Sequence, residues 1–125
     1  MIILHNPFQD VIHVTKKLYK IDVEIYFDDS IRKILFWGHW GETCFPDKGA
    51  PVIYISSHLS VHNALEILAH ELSHVVVGYK EGHNKKWEKV FSKIHKEYNK
   101  YLKNNYIYTF TRYKTNTKEL ICQKK

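Results

Sequence analysis

The chain has 125 residues, 44% of them hydrophobic and 26% charged, which suits one folded domain and excludes a disordered or collagen-like polymer. No run approaches 18 uninterrupted apolar residues, so no membrane partner is expected, and the segment Met1–Pro7 has neither the basic start nor the apolar length of a secretory leader; the expectation is an intracellular, cytoplasmic protein. Charge is unevenly spread: residues 1–79 carry six Lys/Arg against nine Asp/Glu and residues 80–125 thirteen against four, so −3 and +9 make up the net +6.

In chain order, Asn6-Pro7-Phe8-Gln9 has the capping residue, N1 proline and capping-box glutamine of a helix start, and apolar residues then recur at helical spacing to about Lys20. In Asp22–Phe27, Val23, Ile25 and Phe27 alternate with polar residues and predict a half-buried strand, and Asp28-Asp29-Ser30 reads as a turn. Ile31–Trp40 is rich in β-branched and aromatic residues and is expected as the hairpin partner. Gly41–Ala50, with two glycines and a proline, reads as a loop. Pro51–Ser56 is a third strand, whose leading proline argues for an edge or first-residue position.

Ser60 is a good N-cap for a helix with an apolar stripe of Val61, Ala64, Leu65, Leu68, Leu72, Val75 and Val76, ending near Gly78 as a left-handed cap. A short turn, Tyr79–Gly82, leads to a helix from about Asn84 to Leu102 that buries Trp87, Val90, Phe91, Ile94, Tyr98 and Tyr101. Tyr106–Tyr113 reads as a last strand, and residues 114–125 as a flexible basic tail. These elements predict one α+β domain over residues 1–113, with a small antiparallel or mixed sheet packed on a central helix and two further helices. The two cysteines, Cys44 and Cys122, have no near neighbours and read as free thiols.

Nine histidines are more than composition calls for, and one pair is placed to cooperate. His70-Glu71-Leu72-Ser73-His74 lies inside the patterned helix, where residues four apart share a face and can hold one ion. Glu71, about 100° further round the helix, lies beside that ion, where its carboxylate can take a proton from an activated water. A catalytic zinc needs a third protein ligand and an open position. His83 follows in Gly82-His83-Asn84, and a chain that leaves one helix at Gly78 and enters the next at Asn84 can turn back to present it. Glu81, Glu88 and Glu97 are the rival third ligands, since zinc also takes carboxylates.

His-Glu-Leu-Ser-His, followed by Gly-His-Asn-x-x-Trp at 82–87, resembles the SprT-like zinc metallopeptidases, a branch of the zincins. The likeness covers about residues 50–95, including the strand-to-helix run from Val52 to His74 and the aromatic place taken by Trp87. It implies a compact zincin-like fold and one Zn2+ per chain on His70, His74 and His83, with Glu71 as catalytic base. It also implies hydrolysis of protein or peptide substrates, in some members proteins attached to DNA. The chain departs from many bacterial members in having no cysteine-rich zinc ribbon after the core.

Around this centre, Glu66 sits one turn before His70 as a candidate to orient it, and Tyr79 and His95 are candidate hydrogen-bond donors to a transition state. Trp87 and Phe91 are expected to anchor the second long helix beneath the site. A substrate peptide is expected to lie extended against the Pro51–Ser56 strand. Lys85, Lys86, Lys89, Lys93 and Lys96 line one helix and are candidate contacts to DNA, either beside the peptidase centre or in an alternative reading as a nucleic-acid-binding module with a structural or vestigial metal. A monomer is the default expectation.

Overall fold

The computed structural model describes residues 6–30, 40–80 and 82–107. Three helices and a three-stranded mixed sheet make an α+β fold. Helix α1 (Pro7–Leu18) starts as its sequence dictates: Asn6 Oδ1 accepts from the Phe8 amide at 3.0 Å, and Pro7 occupies the first turn, where a missing N–H costs nothing. Strands β1 (Glu24–Asp28), β2 (Gly41–Cys44) and β3 (Val52–Ser56) form a sheet in the order β1-β3-β2. β1 runs parallel to β3, and β2 antiparallel to it.

This order corrects two expectations. Gly41–Ala50 is not all loop, because Gly41–Cys44 pairs with Val52–Ile55. β3 is the middle strand, not an edge, so both of its edges are occupied and no peptide can add to it. Pro51 is compatible with that place because it precedes the strand and its carbonyl is all the ladder needs: it accepts from the Glu24 amide at 3.0 Å. The edges among the described residues are β1 and β2. Residues 31–39 of the expected hairpin partner Ile31–Trp40 lie outside the described residues, as do Glu81 and residues 108–125 with the expected tail and Cys122.

Helix α2 (Val61–Val77) is the centre of the fold, touching β2 and β3 on one side and α1 and α3 on the other. That double contact explains its composition. Leu68 and Leu72 are fully buried, and Ala64, Ala69 and Ser73 are buried beside them, so little of its circumference is left polar. Ser60 caps it by accepting from the Asn63 amide at 3.2 Å. Gly78 ends it at φ 97°, ψ 161°, an extended positive-φ conformation essentially reserved for glycine and sharper than the left-handed cap expected there.

Helix α3 (Lys85–Leu102) packs on α2 through buried Trp87, Val90 and Ile94, capped by Asn84, whose Oδ1 accepts from the Trp87 amide at 3.0 Å. It runs on into a π-helical turn, Lys103–Ile107, so the expected strand does not start at Tyr106. The sheet adds Ile53 and Ile55, both 0% exposed, to the core. Burying each such aliphatic side chain contributes about 1.5–3 kcal/mol.

Candidate metal centre

His70 and His74 lie one turn apart near the C-terminal end of α2, their ring centroids 5.1 Å from each other. The exit forced by Gly78 brings the chain back so that His83, just before α3, faces both. Its Nε2 lies 2.9 Å from His74 Nε2 and 3.0 Å from His70 Nε2. These three side chains are the one such group among the described residues able to hold a metal ion. Glu88 and Glu97 are not in it, and Glu81 lies outside the described residues.

The donor set suits a cation. An imidazole N–H can serve one or two neighbours, whereas three convergent ring nitrogens satisfy one another best as lone pairs on a shared ion. Tetrahedral ligands at about 2.0–2.1 Å from zinc sit about 3.3 Å apart. The observed 2.9 and 3.0 Å need only a slight opening to reach that separation. Burial, reinforced by the neighbouring imidazoles His74 and His83, pushes the His70 pKa down to about 4. Burial and His83 lower His74 too. Both depressions favour the neutral, metal-binding form of the ring at neutral pH.

Trp87 is the floor of this cluster. Its indole centroid lies 4.7 Å from the His70 ring, 5.6 Å from His74 and 4.7 Å from His83, and Nε1–H donates to the His70 carbonyl at 3.3 Å. Phe91 stacks under the indole at 4.9 Å with a 9° interplanar angle. The two aromatic residues therefore anchor α3 beneath the site, as the helical pattern predicts.

Glu71 points from α2 toward the sheet and is 6% exposed. Its Oε2 lies 4.0 Å from His70 Nε2, and its Oε1 accepts from the Thr43 hydroxyl at 2.6 Å. Gly41, also on β2, closes the other side. A methyl group built there would lie 2.5 Å from Ile67 Cγ2 and 3.1 Å from Glu71 Oε2. Gly41→Ala is therefore expected to destabilise the chain by about 1–3 kcal/mol, read as a lowered urea midpoint; an unchanged midpoint would mean that strand and helix separate freely.

A cleft of about 480 Å³ joins these parts, lined by Gly41, Thr43, Glu71, the three histidines and Tyr79. Tyr79, 69% exposed, is thus at the site, with Phe45 as a ring neighbour at 5.9 Å. Glu66 and His95 are not. His95 Nε2 donates to Glu66 Oε1 at 2.7 Å, and the pair lines a separate, largely apolar cavity of about 220 Å³ between α1, α2 and α3. Glu66 thus has a histidine partner on α3 rather than His70, because the α2 face it occupies packs toward α3. Lys85, Lys86, Lys89, Lys93 and Lys96 are all exposed on α3, opposite its buried face. Sequence reasoning missed Gly41 and Thr43, which lie in the segment read as a loop; Gly-Glu-Thr-Cys is too short and carries no alternation that could have marked it as a strand.

No helix among the described residues is long and apolar enough to cross a membrane. No family model, curated protein or solved structure matches this chain.

Proposed function

We propose that the chain is a zinc-dependent endopeptidase of the SprT-like kind, hydrolysing peptide bonds of protein substrates. The observation that supports it most is the convergence of three imidazole nitrogens beside a buried carboxylate in one open cleft. A purely structural site has no use for that carboxylate or for an open side. His70, His74 and His83 would hold the ion, whose chemistry when bound is Lewis-acid activation of water and of a carbonyl at neutral pH.

The remaining steps belong to the chain's own residues. Glu71 accepts a proton from the attacking water as its oxygen bonds to the scissile carbonyl carbon. It returns that proton to the amine nitrogen as the C–N bond breaks. β2 is the strand on which a substrate would align. The Ser56 amide donates to the Trp40 carbonyl, so Trp40, Glu42 and Cys44 turn their main-chain groups toward β3, while Gly41 and Thr43 turn theirs away. An extended peptide added at that edge passes along the cleft beside the histidines. Tyr79 lines the cleft and would be the donor to the developing oxyanion.

The test is metal removal. The purified chain is expected to cleave casein, to stop when treated with a chelator, and to recover with one equivalent of zinc. Cleavage that persists in the chelated protein overturns the proposal.

The exposed lysines of α3 favour DNA as a second partner, held through its phosphates while the cleft acts on a protein beside it. The rival nucleic-acid-binding module keeps this surface and lacks the hydrolysis.

A further inference from the structure

We propose that Thr43 is a positioning residue for the hydrolysis. Its hydroxyl anchors one oxygen of Glu71 and so turns the other, as the proton acceptor, toward His70. This rests on the reading of Glu71 as the base.

The two carboxylate oxygens are not equivalent. Oε1 accepts from Thr43 Oγ1 at 2.6 Å. The same hydroxyl lies 3.4 Å from the Glu71 carbonyl, so its single hydrogen goes to the shorter, charge-assisted bond. Oε2 faces the histidines, 4.0 Å from His70 Nε2, with Gly41 packed against it. Anchoring at Oε1 therefore restricts rotation of the carboxyl group and keeps Oε2 on the side of His70, beside the ion that the three histidines would hold.

Residue type and position both serve this. A β-branched threonine on a strand has few χ1 choices, so the hydroxyl is held ready rather than found on binding. Thr43 pairs with buried Ile53, which puts its side chain on the α2 side of the sheet, as Gly41's pairing with Ile55 does for that residue. Its main-chain N–H and C=O point to the outer edge of β2, which no strand occupies among the described residues and where a peptide would pair. One residue thus sets the distance between the substrate backbone and the working oxygen of the base.

The experiment compares zinc-loaded wild type, Thr43→Val and Thr43→Ser on casein, with zinc affinity measured by chelator competition. Valine keeps the shape and removes the donor. Thr43→Val is expected to lose about 10- to 100-fold in kcat, the worth of a hydrogen bond to a charged group, with KM and zinc affinity little changed. Thr43→Ser is expected to recover most of the loss. Unfolding midpoints give a second readout: Thr43→Val should lower the midpoint more in wild type than in a Glu71→Gln background, because a charged acceptor loses more than an amide. An unchanged kcat, a loss confined to KM, a serine variant as poor as valine, or equal midpoint shifts in both backgrounds would each overturn the role. If the zinc-loaded wild type cleaves nothing, Glu71 as base falls, and the catalytic role of Thr43 with it; the midpoint comparison still reports whether the hydrogen bond exists, which separates the two failures.

Discussion

Glu71→Gln is expected to lower kcat by about 10²- to 10⁴-fold while the chain keeps one zinc and its fold. The amide has nearly the same shape as the carboxylate, and its oxygen can still accept from Thr43, whose hydroxyl lies 2.6 Å away. Packing against Gly41 and Ile67 is preserved, so stability changes little. Only the capacity proposed for Glu71, to take and return a proton, would be lost. Proteolysis of casein, with metal content measured on the same samples, checks both halves. A fully active variant with zinc bound would remove Glu71 from the chemistry, and a variant that loses the metal would mean that the carboxylate supports the site instead.

The second large effect belongs to His83. Structural zinc sites are worth about 10–16 kcal/mol, or roughly 3 kcal/mol for each of four ligands, so His83→Ala is expected to weaken zinc binding by about 100-fold or more. The side chain is exposed and precedes α3, so its removal should leave the metal-free fold within about 0.5 kcal/mol of wild type. Equilibrium competition with a chromogenic chelator gives the affinity, and urea unfolding of the metal-free proteins gives the control. Unchanged affinity would require a different third ligand.

Much of the fold was legible because its signals are local. Asn6-Pro7, Ser60, Gly78 and Asn84 mark helix ends by their own hydrogen bonding and backbone preferences, and each stands at or next to a helix end. The His70–His74 spacing carries its own geometry for the same reason. What could not be read depends on contacts distant in sequence. β2 is four residues long and begins with glycine, so no periodicity identifies it; its existence follows from pairing with β3 and from the close approach to α2 that only glycine allows at position 41. The middle place of β3 follows from partners on both sides, which Pro51 does not reveal. The pairing of Glu66 with His95 joins residues on two helices, and the order of residues along α2 pointed to His70 instead.

Trp87 belongs to two structures at once. It is 8% exposed in the layer that docks α3 on α2, and its ring lies against all three imidazoles. The three-histidine group that could hold a metal ion is therefore a seam between two helices rather than a pocket in one of them. An ion held across that seam stabilises the docked arrangement by mass action, in proportion to its concentration over its dissociation constant. Conversely, a substitution deep in the α2–α3 contact, far from any ligand atom, would spread the imidazoles before it melted the sheet. With an ion bound there, occupancy and helix docking would be one equilibrium seen from two sides.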